Sequence, residues 1–289
     1  MKLNKKHYSY QDCWNYAFSS RKNLATESVK NDIIALCQTT PEHFWLNFSH
    51  KSLSSLEYSR MCYNLAKYLN ENYPVPYLTD QVFFYGLSFF IEKGVFIPQK
   101  DTEILVEKTL ELAEKIWEQT EQLKVLDIGT GCGNIVISLA KNKPNWRFTA
   151  LDINQKALKV AEKNTTVHQL KNIEFVCSNL FDNIRKGEKF NIVVANPPYI
   201  SASEYSNISS TVKEQPQEAL VTKNEGCFFY QEIFAKVRPF LRKKFLLILE
   251  IGYQQREKVI KLIIEYFPQA EVSIYRDYAN YFRVIAVFS

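Results

Sequence analysis

The sequence predicts an α/β fold, a mostly parallel sheet with helices on both faces, preceded by a small helical region. Three observations predict it. From Lys124 on, short apolar β-type runs alternate with amphipathic helical stretches, the texture of a parallel sheet. A glycine-rich turn, Gly129 to Gly133, separates the first of those runs from the helix after it. Before residue 74 the apolar residues recur at helical spacing, with no strand alternation.

Residues 1–73 read as a bundle of short helices. Val29, Ile33, Ile34, Leu36 and Cys37 fall on one helical face, and Leu53, Leu56, Met61, Leu65, Tyr68 and Leu69 form a second stripe. Pro41 after Thr39-Thr40 marks a helix start, because a first-turn proline lacks only an N–H that has no helical partner anyway. Residues 74–100 read as a hinge and hairpin linker. Tyr73-Pro74-Val75-Pro76-Tyr77 is hinge-like, Val82–Tyr85 and Ser88–Ile91 are β-rich around Gly86, and Gly94 to Pro98 closes the hairpin. Asp101-Thr102 then offers a cap for a helix carrying Ile104, Leu105, Leu110, Leu112 and Ile116.

Residues 101–289 read as the sheet domain. Its strands are expected at Val125–Ile128, Phe148–Leu151, Ile173–Cys177, Ile192–Ala195 and Phe245–Ile251. Helices are expected between them at Ile135–Ala140, Gln155–His168 and Phe228–Val237, with Gln255–Phe267 after the fifth strand. The last two β-rich runs, Ala270–Tyr275 and Phe282–Phe288, are too close for a crossover and must pair antiparallel.

Composition bounds the function. The chain has 289 residues, 46% of them hydrophobic and 23% charged, which is ordinary globular usage. Its formal charge is +5, from 36 Lys+Arg against 31 Asp+Glu, which permits an anionic partner without requiring one. The six cysteines are scattered, with no CxxC pair, and the four histidines do not cluster with them. Free buried thiols in a reducing compartment are therefore expected, with no metal site. The start Met1 to Lys6 is basic without an apolar stretch after it, so no signal peptide is expected and the chain reads as soluble and cytoplasmic. Nothing encodes an oligomeric state; a monomer is the expectation.

With only 8 glycines in the chain, three inside Asp127-Ile128-Gly129-Thr130-Gly131-Cys132-Gly133 stand out. Glycine there lets a ligand approach the backbone, and the spacing is GxGxG rather than a pyrophosphate cradle. Asp152, at the end of the second strand, is placed to accept both hydroxyls of a ribose. A second motif, Asn196-Pro197-Pro198-Tyr199, follows the fourth strand directly. Two prolines stiffen the chain and remove two N–H donors, so what remains is an acceptor array suited to an NH2 group. Tyr199 adds a flat face against which a planar amide or base can stack.

The first motif resembles that of class I S-adenosylmethionine-dependent methyltransferases. The second resembles the signature shared by enzymes that methylate amide or amino nitrogens. Further stretches are similar to the peptide chain release factor glutamine methyltransferase family: Tyr85-Gly86-Leu87-Ser88-Phe89, Gly94 to Glu103, Pro216-Gln217-Glu218-Ala219-Leu220, Leu249 to Gln254 and Arg283-Val284. Gln99-Lys100 stands where that family has Arg-Pro, Gln215 where it has an acidic residue, and Asn179-Leu180 where it has Asp and an aromatic.

The resemblance implies a class I methyltransferase-type, seven-stranded, mostly parallel sheet. It implies S-adenosylmethionine as cofactor, held by Gly129, Thr130, Gly131, Cys132, Gly133, Asp152, Asn179 and Leu180. It implies a substrate site of Asn196, Pro197, Pro198 and Tyr199, with Asn196 and Pro197 the catalytic pair. Phe96 is either a wall of that site or part of the linker core. The implied substrate is the glutamine of the Gly-Gly-Gln tip of a release factor, with residues 1–73 recognising other parts of it. An adenine-N6 DNA or RNA methyltransferase, a ribosomal-protein glutamine methyltransferase and an inactive cofactor-binding module are the alternatives. Residues 1–80 carry a balance of only +2 and no basic run, a weak footprint for a duplex binder, so no direct nucleic-acid binding is expected.

Overall fold

The computed structural model describes residues 7–20, 26–50 and 52–289. The basic start at Met1 to Lys6, on which the leader reading rests, lies outside them. The chain divides into two units: one takes it up to Gln81 and adds Ser209–Glu214, the other is Val82–Ile208 with Gln215–Ser289.

The first unit holds α1 (Tyr10–Ser20), α2 (Glu27–Leu36), α3 (Pro41–Leu46), α4 (Ser55–Glu71) and α5 (Val75–Thr79). Side-chain oxygens start three of them. Thr26 and Thr40 each accept a backbone N–H, and Ser54 with Glu57 forms a reciprocal capping box. Its core is aromatic and aliphatic, with Tyr10, Phe44, Leu36, Leu65 and Leu69 fully buried. Leu56 departs from the expected stripe and is 81% exposed. At 100° per residue it lies on the far side of α4 from Leu65. The expected hinge at Tyr73–Tyr77 instead runs into α5. Pro76 sits in its first turn, where the missing N–H costs nothing.

The second unit begins with a two-stranded hairpin, β1 (Gln81–Phe84, whose first residue belongs to the other unit) and β2 (Leu87–Phe90). Tyr85 and Gly86 turn it with φ of +50° and +73°, the backbone of a two-residue hairpin turn. The hairpin strands end at Phe90 rather than at Pro98 as expected, and Gly94 to Pro98 lies beyond them.

Then follow α6 (Glu103–Ile116), β3 (Lys124–Ile128), α7 (Asn134–Asn142), β4 (Arg147–Asp152), α8 (Gln155–Val167), β5 (Ile173–Cys177) and β6 (Phe190–Ala195). After two one-turn helices, α9 (Ala202–Tyr205) and α10 (Ser210–Lys213, in the first unit), come α11 (Phe228–Val237), β7 (Leu241–Glu250), α12 (Arg256–Tyr266), β8 (Glu271–Arg276) and β9 (Phe282–Phe288). The seven-stranded sheet has the order β5-β4-β3-β6-β7-β9-β8. β9 runs antiparallel between β7 and β8, and the pairs from β5 to β7 are parallel.

Strand residues alternate between two cores, as a period of two demands. Val125, Ile192, Val194 and Ile248 face α6 and α7, whereas Leu126, Val193, Leu247 and Ile285 face α11 and α12. Register fixes what leaves the sheet together. Ile128 pairs with Leu151 on one side and Ala195 on the other, and Ala195 pairs with Leu249. The residues that follow, Gly129, Asp152, Asn196 and Glu250, therefore emerge side by side at one edge. Such an edge is where open α/β sheets bind ligands.

Candidate active site

A cavity of about 320 Å³ opens at that edge. Gly129, Thr130 and Gly131 form part of its wall, and a Cβ built on Gly129 or Gly131 meets nothing within 4 Å. Their backbone is thus uncovered toward the cavity. The Gly129 and Thr130 N–H groups both donate to the Leu151 carbonyl at 2.8 Å, which holds the turn against β4.

Asp152 anchors it from the other side, accepting the Gly131 N–H on Oδ2 and the Asn154 N–H on Oδ1, both at 2.8 Å. Burial raises the Asp152 carboxyl above its ordinary value, and those N–H groups pull it back. Asn154 caps α8 by accepting from Lys156 and Ala157, which leaves Asp152 available to the cavity. Beneath the turn, Asp127 is wholly buried; Thr130 donates to its Oδ2 at 2.7 Å, and Oδ1 has no partner among the described residues. Burial pushes Asp127 up to about 7 despite the Thr130 hydroxyl.

Two residues expected at the cofactor site lie outside the cavity wall. Cys132 is turned inward, 1% exposed, and burial pushes its thiol up to about 12. Gly133 packs the start of α7 against α8: a Cβ there would sit 3.0 Å from Ile137 Cδ1 and 3.1 Å from Ala161 Cβ. They shape the turn from behind.

Asn196, Pro197, Pro198 and Tyr199 all face the cavity, as do Asn179, Leu180 and Phe96. Asn196 Nδ2 donates to Thr102 Oγ1 at 3.1 Å. Neither Asn196 Oδ1 nor the Pro197 carbonyl accepts a hydrogen bond among the described residues. The Asn-Pro-Pro stretch is thus a pair of acceptors without internal donors.

Tyr199 is held at three points. Its hydroxyl donates to Glu250 Oε1 at 3.3 Å, its carbonyl accepts Gln255 Nε2 at 2.8 Å, and Gly252 leaves room for the ring, since a Cβ there would lie 3.3 Å from Tyr199 Cδ2. Burial, and then the Glu250 charge, keep the phenol protonated. Phe96 is half-buried and belongs to the wall, while Val95 and Ile97 on either side are buried. Leu180 has φ +48°, and its carbonyl accepts the Ser178 hydroxyl at 2.8 Å; Asn179 between them is exposed and lines the cavity.

Sequence reasoning assigned no site role to Thr102, Gln215, Glu250 or Gln255. Thr102 was expected as a helix cap, yet its side chain makes no cap bond and turns to Asn196 instead. Glu250 carried a signal, a carboxylate ending an otherwise apolar strand. Burial pushes it up to about 7, against the Thr102 hydroxyl, the Arg283 charge and the Tyr199 hydroxyl. Five of the six cysteines are buried free thiols, and Cys177 is exposed, contrary to expectation. Among the described residues no helix is long and apolar enough to cross a membrane.

Comparison with known proteins agrees with this geometry. A family model described as "Methyltransferase small domain" matches residues 87–261. The release factor glutamine methyltransferase of Fusobacterium nucleatum is 35% identical over 264 residues, 91% of this chain and 72% of that protein. The release factor glutamine methyltransferase of Lactococcus lactis is 36% identical over 244 residues, 84% of this chain and 87% of that protein. Among solved structures, the hMettl16 catalytic domain in complex with a MAT2A 3'UTR hairpin shares the fold. Its TM-score is 0.56 at 15% identity, covering 89% of this chain and 90% of that one.

Proposed function

We infer the activity from kinship and geometry together: the chain belongs to the release factor glutamine methyltransferase family. It is a methyltransferase whose acceptor is a glutamine of a release factor. We propose that this glutamine is the one in the Gly-Gly-Gln motif and that its side-chain nitrogen, N5, receives the methyl group. The observation that carries the proposal is the Asn196 amide, whose Nδ2 is tied to Thr102 so that Oδ1 remains an acceptor at the cavity edge.

The residues present fit S-adenosylmethionine as methyl donor. The cavity is of ligand size, the Gly129 and Gly131 backbone is uncovered toward it, and Asp152 offers carboxylate lone pairs beside them. Gly129, Thr130, Gly131, Asp152, Asn179 and Leu180 would hold it, with Cys132 and Gly133 setting the turn. When bound, that donor supplies a methyl group on an electrophilic sulfonium sulfur.

The chain's own work is placement. A glutamine amide is a weak nucleophile because its nitrogen lone pair is delocalised into the carbonyl. Asn196 Oδ1 and the Pro197 carbonyl accept the two N–H groups, which orients the nitrogen and raises its electron density. Tyr199 and Phe96 wall the planar amide. No general base is needed before transfer, because the N-methylated amide cation is strongly acidic and loses its proton afterwards.

We assign the helices of residues 1–73 to recognition of the release factor, residues 74–100 to a linker and residues 101–289 to methyl transfer. A monomer working in the cytoplasm, where release factors act, completes the proposal. A radiolabelled methyl-transfer assay offering a release factor, a ribosomal protein and DNA side by side tests it. Label in the release factor is expected; label only in one of the other two would overturn it.

A further inference from the structure

We propose that Asn164 is a positioning residue for methyl transfer. Its side-chain amide fastens the segment that carries Phe96 to the turn that carries Gly129 and Gly131. It thereby sets the spacing across the cavity between the substrate wall and the cofactor turn. The inference rests on the functional reading above and deepens it.

Asn164 stands near the end of α8 and is 1% exposed. Both ends of its amide are engaged. Oδ1 accepts the Phe90 N–H at 2.7 Å, and Nδ2 donates to the Phe90 carbonyl at 3.0 Å and to the Cys132 carbonyl at 2.9 Å. Toward Phe90 the side chain acts as a peptide group of a neighbouring strand does, giving one hydrogen bond and taking one. The orientation is forced, because only the NH2 end can meet two carbonyl oxygens. The Cys132 carbonyl has no other donor among the described residues.

Both of the groups that Asn164 joins lead into the cavity. Cys132 directly follows Gly131, and Phe90 opens the run to Gly94, Val95 and Phe96, all three in the cavity wall. That run lies antiparallel along α8. The Lys93 carbonyl accepts Lys156 Nζ, and the Gly94 carbonyl accepts Asn154 Nδ2 at 3.3 Å. Lys156 is exposed and Asn154 half-buried, so water competes for those two attachments, whereas it does not reach Asn164.

Helical spacing puts the junction on the stripe of α8 that serves the site. Ala157 lines the cavity, Ala161 stands 3.1 Å from where a Gly133 Cβ would sit, and Asn164 reaches Cys132. These positions are four and then three residues apart, one face of a helix. A leucine at 164 would fill the same space, yet it would leave the buried Cys132 carbonyl without a donor and the Phe90 backbone without its clasp.

The test compares Asn164→Leu with Asn172→Leu in the full chain. Asn172 is a control of like chemistry at the opposite end of the sheet, its Nδ2 donating to the Pro144 and Trp146 carbonyls. Asn164→Leu is expected to raise both the S-adenosylmethionine Kd and the KM for a release factor by about 10-fold, below its Tm. Asn172→Leu lowers Tm and leaves both constants within about twofold of wild type. An Asn164→Leu protein with a lower Tm and both constants unchanged would reduce Asn164 to a structural role and overturn the proposal. A change in only one constant, or an equal change in Asn172→Leu, also overturns it.

A second measurement needs only the wild type, should Asn164→Leu fail to fold. Saturation with S-adenosylhomocysteine is expected to slow hydrogen exchange of the Phe90 N–H at least about fivefold more than that of the Tyr85 N–H. Tyr85 sits in the turn of the same hairpin and donates to Glu103 Oε1 instead. Equal slowing of the two, or none, overturns the coupling. A wild type that left release factors unmethylated would sink the functional reading alone, since the exchange measurement still decides whether turn and linker move together.

Discussion

The backbone N–H of Ile97 donates to Gln215 Oε1 at 2.9 Å, joining the loop of Phe96 to the loop of Pro216, both in the cavity wall. An N–H donor needs only an acceptor, and a glutamine carbonyl supplies one without burying a charge. Gln215→Ala leaves the Ile97 N–H unpaired and is expected to cost about 1–3 kcal/mol. A raised KM for the protein acceptor and a lower Tm are the outcomes to measure.

Gly226 lies against Tyr199, which faces the cavity. With φ +85°, a Cβ there would stand 2.3 Å from the Tyr199 carbonyl oxygen and 2.1 Å from Gln255 Nε2. Backbone cannot yield as a flexible side chain does, so Gly226→Ala must displace Tyr199 or the loop. Stability is expected to fall by at least about 1 kcal/mol, with a larger loss in kcat. Denaturant titration and steady-state kinetics check the pair; unchanged values in both would contradict the contact.

Asp152 holds the Gly131 turn and faces the cavity. Asp152→Ala removes both functions, and the loss of charge-assisted hydrogen bonds predicts roughly 10- to 100-fold weaker S-adenosylmethionine binding. Calorimetric titration measures it directly. An unchanged Kd would mean that the ribose is held elsewhere.

Glu250 also marks the pH dependence of stability. Its carboxyl is raised from 4.5 to about 7 in the fold. A folded-state value above the unfolded one stabilises the fold while the group is protonated. That contribution is complete below 4.5 and is lost as the pH rises through about 7. Glu250→Gln cannot ionise, so its stability relative to wild type is expected to improve steadily across that window. Parallel pH profiles for the two proteins would contradict the buried, raised carboxyl.

Much of the fold is legible because its signals are local. Val125 to Ile128 and Phe148 to Leu151 are apolar runs bounded by turn residues, and β3 and β4 form there with at most two more residues each. Pro41 announces α3, and Asn154 caps α8, for reasons contained within a few residues. The misreadings lie where a local pattern admits two outcomes. Pro74 and Pro76 fit a hinge and a first helical turn equally well, and Leu56 fits an apolar stripe until the helix phase is fixed by Leu65. In the site, Asn196 and Asp152 announce themselves through residue type at a strand end. Thr102 and Gln215 do not, because their partners are 94 and 118 residues away and ordinary local roles fit them. Cys132 and Gly133 sit inside a glycine motif whose spacing cannot say which side of the turn faces the cavity.

The central claim is that Asn196 places a release-factor glutamine for methylation at N5. Tandem mass spectrometry of a release factor incubated with the full chain and S-adenosylmethionine tests it most directly, run beside Asn196→Ala with cofactor binding verified for both. One methyl group on the side-chain nitrogen of the Gly-Gly-Gln glutamine with wild type, and none with Asn196→Ala, is the predicted result. Full methylation by Asn196→Ala, or a methyl group placed on any other residue by the wild type, would contradict it.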